Sequence, residues 1–138
     1  CGKNHAEATR ASKENAPASR QVEVQPFIED REKAYSDADL VICRAGALTV
    51  TEIATAGVAA IFVPLPSAVD DHQTANAGFL ANINAAKICP QATMTPDSLK
   101  TLLEPMLNRQ LLMEMAVKAR RQAQPDATQH VVRLIQEL

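Results

Sequence analysis

The sequence predicts an α/β fold: a Rossmann-like parallel sheet with flanking helices, followed by a helical C-terminal part. Three observations carry this. Short apolar runs bounded by turn residues recur at 40–43, 59–63 and 86–89, each the length of a buried strand. Helical periodicity fills 49–56 and 71–81 between them, so the strands are joined by crossovers and run parallel. Beyond Cys89 no strand pattern returns.

The elements follow in chain order. A helix is predicted over 6–15, then a surface loop, Asn15-Ala16-Pro17-Ala18-Ser19-Arg20, then a first strand over 21–25. Phe27-Ile28-Glu29-Asp30 leads into a helix over 31–36, its acidic residues suited to the positive end of a helix. Leu40-Val41-Ile42-Cys43 is a strand, and Arg44-Ala45-Gly46 a turn in which Gly46 supplies tight or left-handed geometry. Thr49 with Glu52 three residues later spells a capping box, which starts the next helix at Thr49. Past Gly57, the run 59–63 is the third strand; Pro64-Leu65-Pro66 ends it, and Asp70 or Asp71 caps the helix over 71–81. The run 86–89 is the last strand.

In the C-terminal part Thr95-Pro96 is an N-cap followed by proline in the first helical turn. Leu99, Leu102, Leu103, Met106 and Leu107 then recur at helical spacing, with Pro105 a point of kinking. Leu111, Leu112, Met115 and Ala119 continue the pattern after Asn108. Pro125 breaks it, Asp126 caps a last helix, and Val131, Leu134, Ile135 and Leu138 form its stripe. These leucine and methionine stripes read as core faces.

Composition narrows the function. A chain of 138 residues with 46% hydrophobic content is one globular domain at most, large enough to bury a core. A formal charge of -2 with scattered lysine and arginine, and only 3% aromatic residues, disfavours nucleic-acid binding. No apolar run is long enough to span a membrane. The polar opening Cys1-Gly2-Lys3-Asn4-His5, without an initiator methionine, reads as a fragment boundary rather than a signal peptide. Cys1, Cys43 and Cys89 lack metal-ligand spacing, which argues against zinc or a disulfide framework; Cys43 and Cys89 read as buried free thiols of a reducing cytoplasm.

The chemistry gathers where strands give way to helices. A helix N-terminus at the carboxyl end of a parallel strand offers free N–H groups and a positive dipole end to a phosphate or diphosphate. That describes the segment after Gly46, where Ala47, Leu48 and Thr49 would act through main-chain N–H groups. Glu52 either closes the capping box or, one turn inside such a helix, accepts hydrogen bonds from ribose hydroxyls. Arg44 is a surface ion-pair residue or an electrostatic contributor to an anion site. Asp71-His72-Gln73-Thr74-Ala75-Asn76 lies on the same crevice edge. It is either a solvated helix start or a polar face whose Gln73 and Asn76, at i,i+3 spacing, reach a sugar's hydroxyls.

The runs Arg44-Ala45-Gly46-Ala47-Leu48-Thr49-Val50-Thr51-Glu52, Asp70-Asp71-His72-Gln73-Thr74-Ala75-Asn76-Ala77 and Pro125-Asp126-Ala127-Thr128, with Pro64, together resemble the MurG family of GT-B glycosyltransferases. The match covers nearly the whole chain and well under half of the family's usual length. It implies the greater part of a C-terminal, donor-binding domain, 1–138, without its first part and without the N-terminal acceptor domain. The implied parent reaction is an inverting transfer of GlcNAc from UDP-GlcNAc to lipid I in peptidoglycan synthesis, with no metal or other cofactor. The parent would sit peripherally on the cytoplasmic face of the bacterial inner membrane, while the isolated fragment is expected to be soluble, inactive and a weak UDP binder.

Residue by residue, the resemblance implies that Ile28 offers its main chain to the uracil edge. It places Ala47, Leu48 and Thr49 at the diphosphate, counts Val50 and Thr51 among the UDP-GlcNAc-binding residues, and sets Arg44 beside the donor site and Glu52 on the ribose. Gln73, His72 and Asn76 fall at the GlcNAc hydroxyls. His72 is not read as a general base, because the family's acid–base machinery belongs to the N-terminal half. Asn84 departs from the family's usual glycine, and asparagine is the next-best residue for a left-handed helix end. Two other readings stand beside this one: another UDP-sugar GT-B enzyme, such as a UDP-GlcNAc 2-epimerase, and a non-catalytic nucleotide-binding subunit of a two-chain transferase.

Overall fold

The structure is a computed structural model that describes residues 22–66 and 71–137. The contacts divide the chain into two units, 1–34 and 35–138. The helix expected over 6–15, the loop after it, Cys1, Asp70 and Leu138 lie outside the described residues.

In the first unit the strand expected over 21–25 is not formed at any described position: residues 22–25 carry no ladder pairing. The alternation of Val22 and Val24 is there, but a strand exists only where a second backbone accepts its hydrogen bonds. Helix α1 (Arg31–Ser36) starts as the acidic pattern predicts, with Asp30 Oδ1 accepting from the Lys33 N–H at 2.9 Å.

The second unit holds a parallel sheet of β1 (Leu40–Cys43), β2 (Ala59–Phe62) and β3 (Ala86–Ile88), in the order β1-β2-β3. Leu40 pairs with Ala59 and Cys43 with Phe62; Ala60 pairs with Ala86 and Phe62 with Ile88. Every residue of β2 is buried, as expected for a parallel strand covered on both faces. Alternate β2 side chains enter different cores. Ala60 and Phe62 join Val50, Ile53, Ala54, Ala77 and Leu80 from α2 (Ala47–Ala56) and α3 (His72–Ala81). Ala59, Ile61 and Val63 face the opposite way, onto Cys89, Met106 and Met115.

That second core is supplied by α4 (Pro96–Leu103), a 3-10 turn over Glu104–Met106, and α5 (Arg109–Arg120). Thr95 caps α4 as predicted and does so reciprocally: Thr95 Oγ1 accepts from the Ser98 N–H at 3.1 Å, and Ser98 Oγ accepts from the Thr95 N–H at 2.8 Å. Pro105 does not kink a helix; α4 ends at Leu103 and the proline sits in the tighter turn that follows. The last helix, α6 (Ala127–Gln136), corrects one expectation. Its stripe Val131, Leu134 and Ile135 is exposed rather than part of a core, and Leu107 is also exposed. Periodicity records that a helix has an apolar face, not that a partner covers it.

The two helices on the first face of the sheet, α2 and α3, end in the same way. After α2, Gly57 is left-handed (φ 66), its N–H donates to the Ala54 carbonyl and the Val58 N–H to that of Ile53. After α3, Asn84 takes φ 56, the Asn84 N–H donates to Ala81 and the Ala85 N–H to Leu80. These are paired 5→2 and 6→1 closures, one on glycine and one on the asparagine expected to tolerate that conformation.

Candidate functional site at the carboxyl edge of the sheet

Helix α2 begins two residues earlier than predicted, at Ala47, and this overturns the capping box. Gly46 is the N-cap in an extended conformation (φ −63, ψ 147), not a left-handed one, and no side chain caps the helix. Thr49 therefore lies in the first turn rather than at its boundary, and Glu52 stands one turn further in. The first helical bond runs from the Val50 N–H to the Gly46 carbonyl at 3.0 Å, so the N–H groups of Ala47, Leu48 and Thr49 precede it. Leu48 is 79% exposed, which opens this end of the helix to solvent. A Cβ at Gly46 would meet only Thr49 Oγ1, at 3.7 Å. Packing among the described residues thus does not demand a glycine there.

Three segments are tied together at this edge: the turn after β1, the loop after β2, and the start of α3. Gln73 Oε1 accepts from the Ala45 N–H at 3.3 Å and from the Leu65 N–H at 3.0 Å. Two N–H donors converge on that atom, which only the amide oxygen can satisfy. Asn76 Nδ2 donates to the Ala45 carbonyl at 3.1 Å. Arg44 Nη1 donates to the carbonyls of Val63 at 3.1 Å and Pro64 at 3.4 Å. Arg44, read from sequence as an ion-pair or anion-site residue, here spans the two loops.

Glu52 is half-buried and Oε2 accepts from the Tyr35 hydroxyl at 3.1 Å. Thr51 Oγ1 bonds back to the Ala47 carbonyl, and Val50 is buried in the core. His72 is exposed at the first position of α3. Asp71 is the N-cap of α3 but is left-handed (φ 52) and makes no side-chain cap bond, so that expected aspartate cap is not formed. Ile28 is 46% exposed and belongs to the first unit. Within the second unit the structure thus brings together Arg44, the 47–49 helix start, Gln73 and Asn76.

Sequence reasoning missed Tyr35 as the partner of Glu52 and the main chain of Ala45 and Leu65 as the targets of Gln73. Composition held one signal for the first: Tyr35 is the sequence's single tyrosine, and a half-buried phenol needs a polar partner. Cys43 is half-buried and free, and burial pushes its thiol up from 9.0 to about 11. Cys89 is buried and free, as expected. Among the described residues no group of three or more His, Cys, Asp or Glu side chains is placed to hold a metal ion. No described helix is long and apolar enough to cross a membrane.

A parallel sheet with an uncapped helix start at its carboxyl edge defines a Rossmann-like α/β domain of the kind that receives anionic ligands there. The chain belongs to a particular family of such domains: residues 1–131 match the glycosyltransferase family 28 C-terminal domain. It is 70% identical over all 138 residues to an Acinetobacter baylyi protein named UDP-N-acetylglucosamine--N-acetylmuramyl-(pentapeptide) pyrophosphoryl-undecaprenol N-acetylglucosamine transferase, of which it covers 38%. A protein of the same name from Psychrobacter cryohalolentis is 51% identical over 136 residues, 98% of this chain and 37% of that protein. The crystal structure of Acinetobacter baumannii MurG superposes with a TM-score of 0.95 at 69% identity, covering all of this chain and 40% of that one. The chain therefore spans well under half the length of the relatives it matches.

Proposed function

We propose that this chain is the donor-binding part of a transferase that moves GlcNAc from UDP-GlcNAc to lipid I in peptidoglycan synthesis. The observation that carries the reading is the uncapped start of α2, set at the carboxyl edge of the sheet in a member of glycosyltransferase family 28. The names of the relatives support the choice of sugar and acceptor.

In this reading the N–H groups of Ala47, Leu48 and Thr49 take the diphosphate, and the helix dipole stabilises the charge that develops as the nucleoside diphosphate leaves. Gly46 keeps the approach clear, since a Cβ there would touch Thr49 Oγ1 alone among the described residues and would otherwise project towards the ligand. Glu52 accepts from the ribose hydroxyls, Arg44 biases the edge towards an anion, and Ile28 meets the uracil edge with its main chain. His72, Gln73 and Asn76 face the GlcNAc. The Gln73 oxygen already holds two main-chain donors, so its NH2 group is what it offers to a sugar. The acceptor and the base belong to the acceptor domain of the longer relatives, and the whole enzyme works peripherally at the cytoplasmic face of the inner membrane.

Calorimetric titration of the chain with UDP, TDP and UDP-GlcNAc tests this. Uridine-selective binding that Glu52→Ala weakens by ~1–3 kcal/mol is expected, the cost of losing a charged hydrogen-bond partner. Absence of binding to the folded chain, or equal binding of UDP and TDP untouched by the substitution, refutes the assignment of this edge.

A further inference from the structure

The residues of α3 at this edge have a second task that the donor-site reading does not assign. Both main-chain polar groups of Ala45 are captured by α3: the N–H by Gln73 Oε1 and the carbonyl by Asn76 Nδ2. Ala45 is fully buried and immediately precedes Gly46, the N-cap of α2. Such a residue, between a strand and a helix, has no ladder or helix partner for these groups, and buried main-chain groups must find one. The same Gln73 oxygen also holds the Leu65 N–H in the neighbouring loop. Gln73 therefore ties one loop to the other from α3, beside the bonds Arg44 makes between them.

We propose that Gln73 and Asn76 are positioning residues, which set the direction in which the uncapped start of α2 faces its ligand. Resting on the diphosphate reading above, this makes affinity for the diphosphate depend on side chains that need not touch it. It differs from a role confined to sugar contacts in one measurable respect: UDP, which has no GlcNAc, must also feel the loss of either amide. The opposite end of α2 is held separately by the Gly57 closure and by the guanidinium of Arg120, which donates to the Thr55 carbonyl. Losing the clamp thus loosens the N-terminal end of the helix from α3, leaving there the Arg44 bonds to Val63 and Pro64, while its C-terminal end stays anchored.

The test is an NMR titration of the wild-type chain, Gln73→Leu and Asn76→Ala with UDP, uridine and UDP-GlcNAc, with amide hydrogen exchange measured on each free protein. Expected are about tenfold faster exchange at Ala45 and Leu65 in Gln73→Leu, the scale of one lost hydrogen bond, and about tenfold weaker UDP binding in both variants. Uridine affinity should hold, which mere destabilisation of the domain would not produce. Wild-type UDP affinity in both variants, with only UDP-GlcNAc weakened, overturns the positioning role and leaves a sugar contact. Unchanged exchange at Ala45 and Leu65 overturns it as well. A wild-type chain whose Ala47–Thr49 amides ignore UDP overturns the donor-site reading, and the positioning role with it.

Discussion

Replacing Gly57 by alanine tests whether the C-terminal anchor of α2 is what the geometry says it is. Gly57 sits at φ 66, ψ 58, and an added Cβ would lie 3.1 Å from Arg120 Cβ, 3.5 Å from Arg120 Cδ and 3.5 Å from the Ala116 carbonyl oxygen. The left-handed conformation costs a residue with a Cβ about 1–2 kcal/mol. The close approach to Arg120 forces α5 or that side chain to give, and freeing the guanidinium from the Thr55 carbonyl forfeits about 1 kcal/mol more. Alanine returns about 0.4–1 kcal/mol by restricting the unfolded chain. The balance is a loss of about 1–2.5 kcal/mol. Urea unfolding followed by far-UV circular dichroism should show it as a lower midpoint at an unchanged slope. Gly57→Asn, which tolerates the left-handed region but carries the same Cβ, should lose less than the alanine variant. A Gly57→Ala protein within ~0.5 kcal/mol of wild type refutes the reasoning, because surface substitutions without a mechanism fall in that range.

Two further outcomes follow from burial. Leu80→Ala removes a fully buried side chain between α3 and the sheet and should cost about 2–5 kcal/mol in the same urea experiment. Cys43, pushed up to about 11 by burial, holds its proton longer folded than unfolded. The unfolded state therefore binds fewer protons between the two values, so stability is fully present below 9.0 and falls as pH rises towards 11. The loss is at most about 2–3 kcal/mol, and smaller because the thiol is only half-buried. Urea midpoints measured across that window should flatten in Cys43→Ala; an equally steep decline in the variant assigns the effect to other groups.

Much of this protein was legible in its residues. Strands β1, β2 and β3 fell within a residue of the apolar runs; the signal is strongest in β2, where a strand covered on both faces is written as continuous Ala, Ile and Phe. Thr95-Pro96, Asp30 and Asn84 act locally, through neighbours in sequence, and each was found where its chemistry put it. The family resemblance of the 44–52 and 70–77 runs was legible for the same reason: motifs are local. What went wrong was local rules applied where a tertiary partner decided. Thr49 and Glu52 have capping-box spacing, yet Glu52 is taken by Tyr35, 17 residues away, and the helix starts at Ala47 behind an extended Gly46. Gln73 and Asn76 show their i,i+3 spacing in sequence, but not that 28 and 31 residues upstream a buried Ala45 needs both its main-chain groups satisfied. Sequence by itself determined the order of elements from β1 onward, the parallel sheet and the edge at which the site is proposed, since these follow from periodicity and turn chemistry. Only the tertiary structure decided which stripes are covered, where α2 begins and what the amides of α3 hold, because burial and hydrogen-bond satisfaction are settled between segments far apart in the chain.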